Sequence, residues 1–223
     1  LKEMNMLARQ SENNEKLFSE LQDKFQALPD FPDRDKKYLE RDYQKAGDQF
    51  EKLRLKMIDV AEAASLDNLR QRSDICYQLD QLMASSSEDR EQQLDAIQGE
   101  WVLCDEKLKK AWLQAISRRY ETVLQHIHSE TKPDYETIDA DREMLCIELE
   151  ILADAETPDS DKARRMEYQL QQLQQGMKTN ASVASGDAFL NLEVRWLCAD
   201  GASQGLALNL HERFNSTLKR AGA

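Results

Sequence analysis

Apolar residues fall along this chain at steps of three and four, the spacing that places them on one side of an α-helix. Leu17, Leu21, Phe25 and Leu28 give the clearest such face and extend a pattern present at Met4 and Leu7, predicting one helix over residues 1–28. Leu28-Pro29-Asp30-Phe31-Pro32 stops it, because each proline disfavours helical geometry in the residue before it. Asp33-Arg34-Asp35 puts acids in a first turn, as the helix dipole prefers, and opens a second helix to about Ala64 through Tyr38, Tyr43, Phe50, Leu53 and Met57. Gly47 inside it predicts a close helix contact. Ser65 is read as the cap of a third helix carrying Leu69, Ile75, Cys76, Leu79 and Leu82.

The run Ser85-Ser86-Ser87-Glu88-Asp89 predicts a break and a new cap, after which Leu94, Ile97 and Trp101 share a face. Cys104-Asp105-Glu106 interrupts, and a helix from about Lys107 to Ser129 follows through Leu108, Trp112, Ile116, Tyr120, Val123 and Ile127. Beyond Pro133, Ile138, Leu145, Leu149 and Leu152 form a stripe widened by Met144, Ile147 and Ile151, which predicts packing on more than one side. Thr157-Pro158-Asp159-Ser160-Asp161 joins a cap, a first-turn proline and acids. It starts a helix with Met166, Leu170, Leu173 and Met177 on one face, ending near Gly176. Lys178 to Gly186 is expected to be a mobile loop. Helices near Ala188–Leu197 and Leu206–Ala221 flank Ala199-Asp200-Gly201.

The helices repeat. Leu21 with Phe25, Ile97 with Trp101 and Leu192 with Trp196 each set an aliphatic residue four positions before an aromatic one. A second aromatic follows in each case, Tyr43, Tyr120 and Phe214, with basic residues just before it: Arg41, Arg118 with Arg119, and Arg213. Asp30, Asp105 and Asp200 mark the intervening breaks. Farther upstream, Arg72-Ser-Asp-Ile-Cys76 matches Arg142-Glu-Met-Leu-Cys146 in spacing and type. The expected fold class is all-α, tandem antiparallel helical repeats in a bundle or an elongated array, without a sheet. The units expected are 1–64, 65–130 and 131–223, the last with an inserted helix and loop around 155–186.

Composition agrees: 32% charged residues with only 7 Gly and 4 Pro suits long helices. The net charge of −12 weighs against broad binding to phosphate backbones or anionic membranes, though a local basic face stays possible. No apolar run approaches the roughly 18 residues of a membrane span. The chain opens at Leu1 within a helical pattern, so a fragment of a longer protein is expected. Cys76, Cys104, Cys146 and Cys198 are far apart, without a CxxC or a histidine at ligand spacing, and are expected to be small buried hydrophobes in a reducing cytoplasm.

Catalytic patterns are hard to find. His126 and His128 point about 200° apart on a helix and cannot share a metal. There is no HExxH, no Glu-x-x-His of the di-iron type, and no phosphate-binding glycine loop. No metal, cofactor or catalytic residue is expected, and a small-molecule ligand is not. Phe25, Tyr43, Trp101, Tyr120, Trp196 and Phe214 are read as core anchors of the repeat; the alternative for the tryptophans, Trp112 included, is to anchor a partner helix. Arg41, Lys107, Lys110, Arg118, Arg119 and Arg213 form the candidate interaction surface. They are either a solvated face or, as repeated basic-aromatic elements, a nucleic-acid groove.

At Trp101, Trp196 and Arg213-Phe214 the chain resembles the bacterial domain of unknown function family 349 (DUF 349). The units of that family look like a leucine and tryptophan on one helix, a short break, and a helix with an Arg-Phe element. Arg119-Tyr120 is a variant, and Arg41-Asp42-Tyr43 departs by one residue. The stretches around Leu145–Leu152 and Glu156–Glu167 also resemble the C-terminal part of long proteobacterial members. The resemblance covers nearly the whole chain and implies a cytoplasmic bacterial protein, with no catalytic residues to carry over. The expected function is a non-catalytic scaffold or adaptor for protein partners, not membrane-bound; the alternative is a helical protein that binds RNA or DNA.

Overall fold

The computed structural model describes residues 2–7, 15–27, 33–85, 89–104, 107–176 and 185–221. Among them are nine α-helices, one 3-10 turn and no strand. None of these helices is long and apolar enough to cross a membrane. The chain divides into two compact units, Leu1–Ala64 and Ser65–Ala223.

In the first unit, helices α1 (Lys2–Leu7) and α2 (Glu15–Gln26) pack on each other, so residues 1–28 are not one continuous helix as expected. Helix α3 is assigned over Asp33–Ala84, and its residues up to Ala64 belong to this unit. Met4, Phe18, Ala46 and Phe50 form a small core, with Leu21 and Tyr43 against it. Phe18 and Phe50 stack at 3.9 Å. The expected stop at residues 28–32 lies outside the described residues. Gly47 does not mark a close approach: a Cβ built there meets nothing within 4 Å.

The break expected at Ser65 is absent. Nothing in the local sequence removes a backbone donor or forces a left-handed turn, so the helix continues. The Ser65 side chain is buried, and its Oγ accepts from the Lys109 backbone N–H at 3.3 Å. A hydroxyl read as a cap for its own helix thus serves the start of another, the helix that begins at Lys110.

The second unit holds two connected cores. The Ser65–Ala84 part of α3, helix α4 (Arg90–Leu103) and helix α5 (Lys110–Ser129) surround Leu69, Ile75, Cys76, Leu79, Ile97, Ile116, Tyr120 and Val123. Helix α6 (Tyr135–Leu152) opens with Asp134, whose side chain accepts from the Thr137 N–H and hydroxyl. It packs with α8 (Ser185–Cys198) and α9 (Gln204–Ala221) around Leu145, Leu149, Leu192, Trp196, Leu210, Phe214 and Leu218. This explains the width of the α6 stripe. Helix α5 lies against α8, and Leu197 packs against both cores.

Between α6 and α8 the chain makes a 3-10 turn at Asp159–Asp161 and helix α7 (Lys162–Gly176), as the Thr157-Pro158 start signal predicts. The expected mobile loop falls mostly on residues 177–184, outside the described set; Ser185 and Gly186 already belong to α8.

Candidate functional site

Each aliphatic-aromatic face meets its second aromatic in the same way. Phe25 stacks on Tyr43 at 4.3 Å with ring planes 8° apart, Trp101 on Tyr120 at 3.9 Å and 7°, and Trp196 on Phe214 at 4.2 Å and 8°. In every case the two rings come from different helices, so the stack ties two helices together. Tyr120, Trp196 and Phe214 are buried; Phe25, Tyr43 and Trp101 are half-buried.

In the second and third pairs an arginine covers the tryptophan. The Arg72 guanidinium lies 4.5 Å from the Trp101 ring centre and that of Arg142 lies 4.3 Å from Trp196, both within cation–π range. Each also donates to a carbonyl three residues beyond its tryptophan: Arg72 Nη2 to Cys104 at 3.4 Å, Arg142 Nη2 to Ala199 at 2.8 Å. Arg142 Nε adds a 2.8 Å bond to the Asp200 carbonyl. One side chain therefore covers the aromatic ring and satisfies carbonyls at the helix end that no further turn can use.

The arginine before the second aromatic closes the arrangement from inside. Arg119 Nη2 donates to Asp80 Oδ2 at 3.0 Å, and its Nη1 to Ser73 Oγ at 3.1 Å and the Leu197 carbonyl at 2.8 Å. Arg213 donates through Nε and Nη2 to both oxygens of Glu150, at 2.6 and 3.0 Å, and through Nη1 to Asp161 at 2.6 Å. Asp80 and Glu150 each lie eight residues after the covering arginine, Arg72 or Arg142. The acid stands one turn beyond the matched arginine and cysteine in both copies, at a spacing visible in the sequence though not among the residues singled out from it.

Electrostatics sharpen the picture. Burial pushes the Asp80 carboxyl above the ordinary carboxylate value, although Arg119 pulls it back. Burial and then the nearby Arg119 hold the Arg142 guanidinium down at about 9, still charged at neutral pH. Burial also works against the charge on Arg213, but its bonds to Glu150 and Asp161 prevail and raise its pKa. Burial pushes the Cys76 and Cys146 thiols up to about 12, so they are poor nucleophiles. Gly201 fits because Asp80 fills the space beside it: a Cβ there would lie 2.1 Å from Asp80 Oδ2.

The six residues expected to form one interaction surface separate. Arg41, Lys107, Lys110 and Arg118 are exposed, Arg41 lying 5.4 Å from the Tyr38 ring centre and 3.8 Å from Asp42. Arg119 is only 3% exposed and the Arg213 side chain 14%, so neither presents its charge to a partner. The reason is the buried acid opposite each, a partner contributed by a distant helix. Trp112 is half-buried, with Lys109 Nζ 4.6 Å from its ring centre.

Among the described residues no three His, Cys, Asp or Glu side chains are placed to hold a metal ion. His126 Nδ1 pairs with Thr131 Oγ1 at 2.9 Å, and His128 Nδ1–H donates to the Leu124 carbonyl at 2.7 Å. A cavity of about 480 Å³ in the first unit is lined by Lys2, Asn5, Met6, Asp42, Lys45 and Gln49. No family model, no curated protein and no solved structure matches this chain.

Proposed function

We propose that this chain is a non-catalytic helical scaffold of the bacterial cytoplasm, assembled from three copies of one helical unit and serving protein partners. The observation that carries this reading is where the buried charge goes. Arg119, Arg142 and Arg213 are committed to carboxylates and carbonyls that join helix to helix. Such groups stabilise an architecture, and these three guanidinium groups do not face a substrate. The threefold ring stacking supports the repeat, and the resemblance to domain of unknown function family 349 supports the bacterial setting.

Affinity capture of the tagged chain from a nuclease-treated bacterial lysate tests the role. A stoichiometric protein partner that survives nuclease is expected. Turnover of a substrate by the purified chain, with no such partner, overturns it. The nucleic-acid reading loses Arg119 and Arg213 to the interior. It is tested by a gel-shift series with Arg118→Glu and Lys110→Glu, for which no salt-sensitive shift is expected even in the parent chain.

A further inference from the structure

Helix α7 is mounted with its polar side inward. Arg164 pairs with Glu143 of α6 and donates to the Ala140 carbonyl at 2.9 Å. Arg165 donates to the Ala155 carbonyl and to Thr157 Oγ1, at 2.5 and 2.8 Å. Thr157 in turn donates to Glu150 at 2.6 Å, the carboxylate that holds Arg213. At 100° per residue, Arg164, Arg165 and the half-buried Tyr168 cover the side facing the body of the protein. The opposite side carries Met166, Leu170 and Leu173, which are 65%, 54% and 62% exposed. A surface helix ordinarily turns such a stripe to the core; this one turns it to solvent.

The spacing of that stripe is a heptad seam. With Ala163 and Leu170 at a and Met166 and Leu173 at d, Lys162 and Gln169 fall at g, and Glu167 and Gln174 at e. In a parallel two-stranded coil each g position meets the e position five residues later on the partner. Lys162 then meets the partner copy's glutamate, and Gln169 meets a glutamine, with no like charges opposed. An antiparallel pair would turn Lys162 toward a last turn without an acid, leaving Glu167 without an opposite charge.

We propose that α7 pairs with the α7 of a second copy of this chain as a short parallel coiled coil, through Ala163, Met166, Leu170 and Leu173. Charge favours this occupant: the seam sets Lys162 opposite the partner copy's Glu167 on both sides of the pair, while Arg164 and Arg165 stay bound on the inward side to Glu143 and to the Ala155 and Thr157 oxygens. Coils this short are marginal when they must fold as they pair. Here the helix is already held by its arginines, so pairing orders little new chain. Lys162 makes an exposed bridge to Asp159, at 2.5 Å, which it can exchange. Self-pairing does not depend on the scaffold reading; the chain would dimerise whatever its biological partners.

Sedimentation equilibrium of the full chain tests it. The parent is expected to move to the mass of two chains with rising concentration. Leu170→Glu with Leu173→Glu should stay monomeric with an unchanged helical circular dichroism spectrum, because both side chains are exposed. Lys162→Glu or Glu167→Lys alone should weaken the dimer about tenfold, and the two together should restore it, since swapping both charges rebuilds the pair. A parent that remains monomeric at its solubility limit overturns the proposal and leaves the stripe to a helix of another protein. A dimer that persists in the double glutamate variant overturns it as well, and charge variants without effect overturn the parallel register.

Discussion

The second and third stacked pairs differ by only 0.3 Å in ring separation (3.9 against 4.2 Å), yet their arginines are satisfied in different ways. Arg119 shares its donors among one carboxylate, a serine and the backbone of α8, and its Nε is buried without an acceptor among the described residues. Arg213 places all three nitrogens on two carboxylates, one of them on the turn that starts α7. A similar Arg-aromatic step therefore closes against the next pair of helices in one place and against an inserted turn in the other. Among the described residues the first pair shows no such closure: Asp42 precedes Tyr43, and Arg41 is exposed. Ring geometry is the constant part of the arrangement, and charge closure is the part that varies.

Breaking the tighter closure should have the largest effect. Glu150→Ala leaves Arg213 and Thr157 without their shared acceptor and should cost about 3–5 kcal/mol, as expected for orphaning a buried charge. Urea unfolding measures it; a loss comparable to an exposed pair would show that Asp161 alone suffices.

The second closure predicts a coupled pair. Gly201→Ala should cost about 1–3 kcal/mol, because the new methyl displaces a carboxylate that Arg119 holds in place. In an Asp80→Ala background the same change should cost almost nothing. A double-mutant cycle measures the difference, and simple additivity would mean that Asp80 moves aside freely.

The cysteines compare the two closures under alkaline conditions. Cys76 and Cys146 hold their protons to about 12 when folded, against about 8.5 for an unfolded thiol. The unfolded chain therefore releases protons first as pH rises, and the stability each thiol contributes below about 8.5 is lost progressively toward 12. At pH 10 the loss is about 2 kcal/mol per thiol. Urea midpoints at pH 7 and 10 should show a smaller pH-dependent loss in Cys76→Ala and in Cys146→Ala, by similar amounts. Unequal relief would separate the two environments.

The smallest change concerns the unit without a closing arginine. Gly47→Ala should stabilise the chain by about 1 kcal/mol, because the helix gains propensity and the methyl meets nothing. A higher urea midpoint is the expected result; a lower one would reveal a use for glycine there.

Much of this was legible in residue spacing. The α4–α9 helices, the recurrence of the aromatic positions and the match between Arg72–Cys76 and Arg142–Cys146 all follow from local periodicity, which helical geometry projects onto a face. Partnership across the chain was not legible. Asp80 and Glu150 lie 39 and 63 residues from the arginines they hold, in a chain with 42 acids to choose among. An arginine beside an aromatic therefore looked like surface. Ser65 misled for a related reason, since a hydroxyl that can cap its own helix can equally serve another. Helix α7 shows the remaining gap: periodicity tells which residues share a face, and the anchors on the other face decide which way it points.

Leu197 has a consequence for how the second unit unfolds. Its side chain belongs to both cores, and its carbonyl accepts from Arg119. Pulling α8 away would expose apolar surface on two sides and leave a buried guanidinium short of an acceptor at the same moment. Neither helical group can open cheaply on its own, so residues 65–223 should melt as one cooperative body, and severing the chain after Ser129 should yield two unstable halves rather than two small domains.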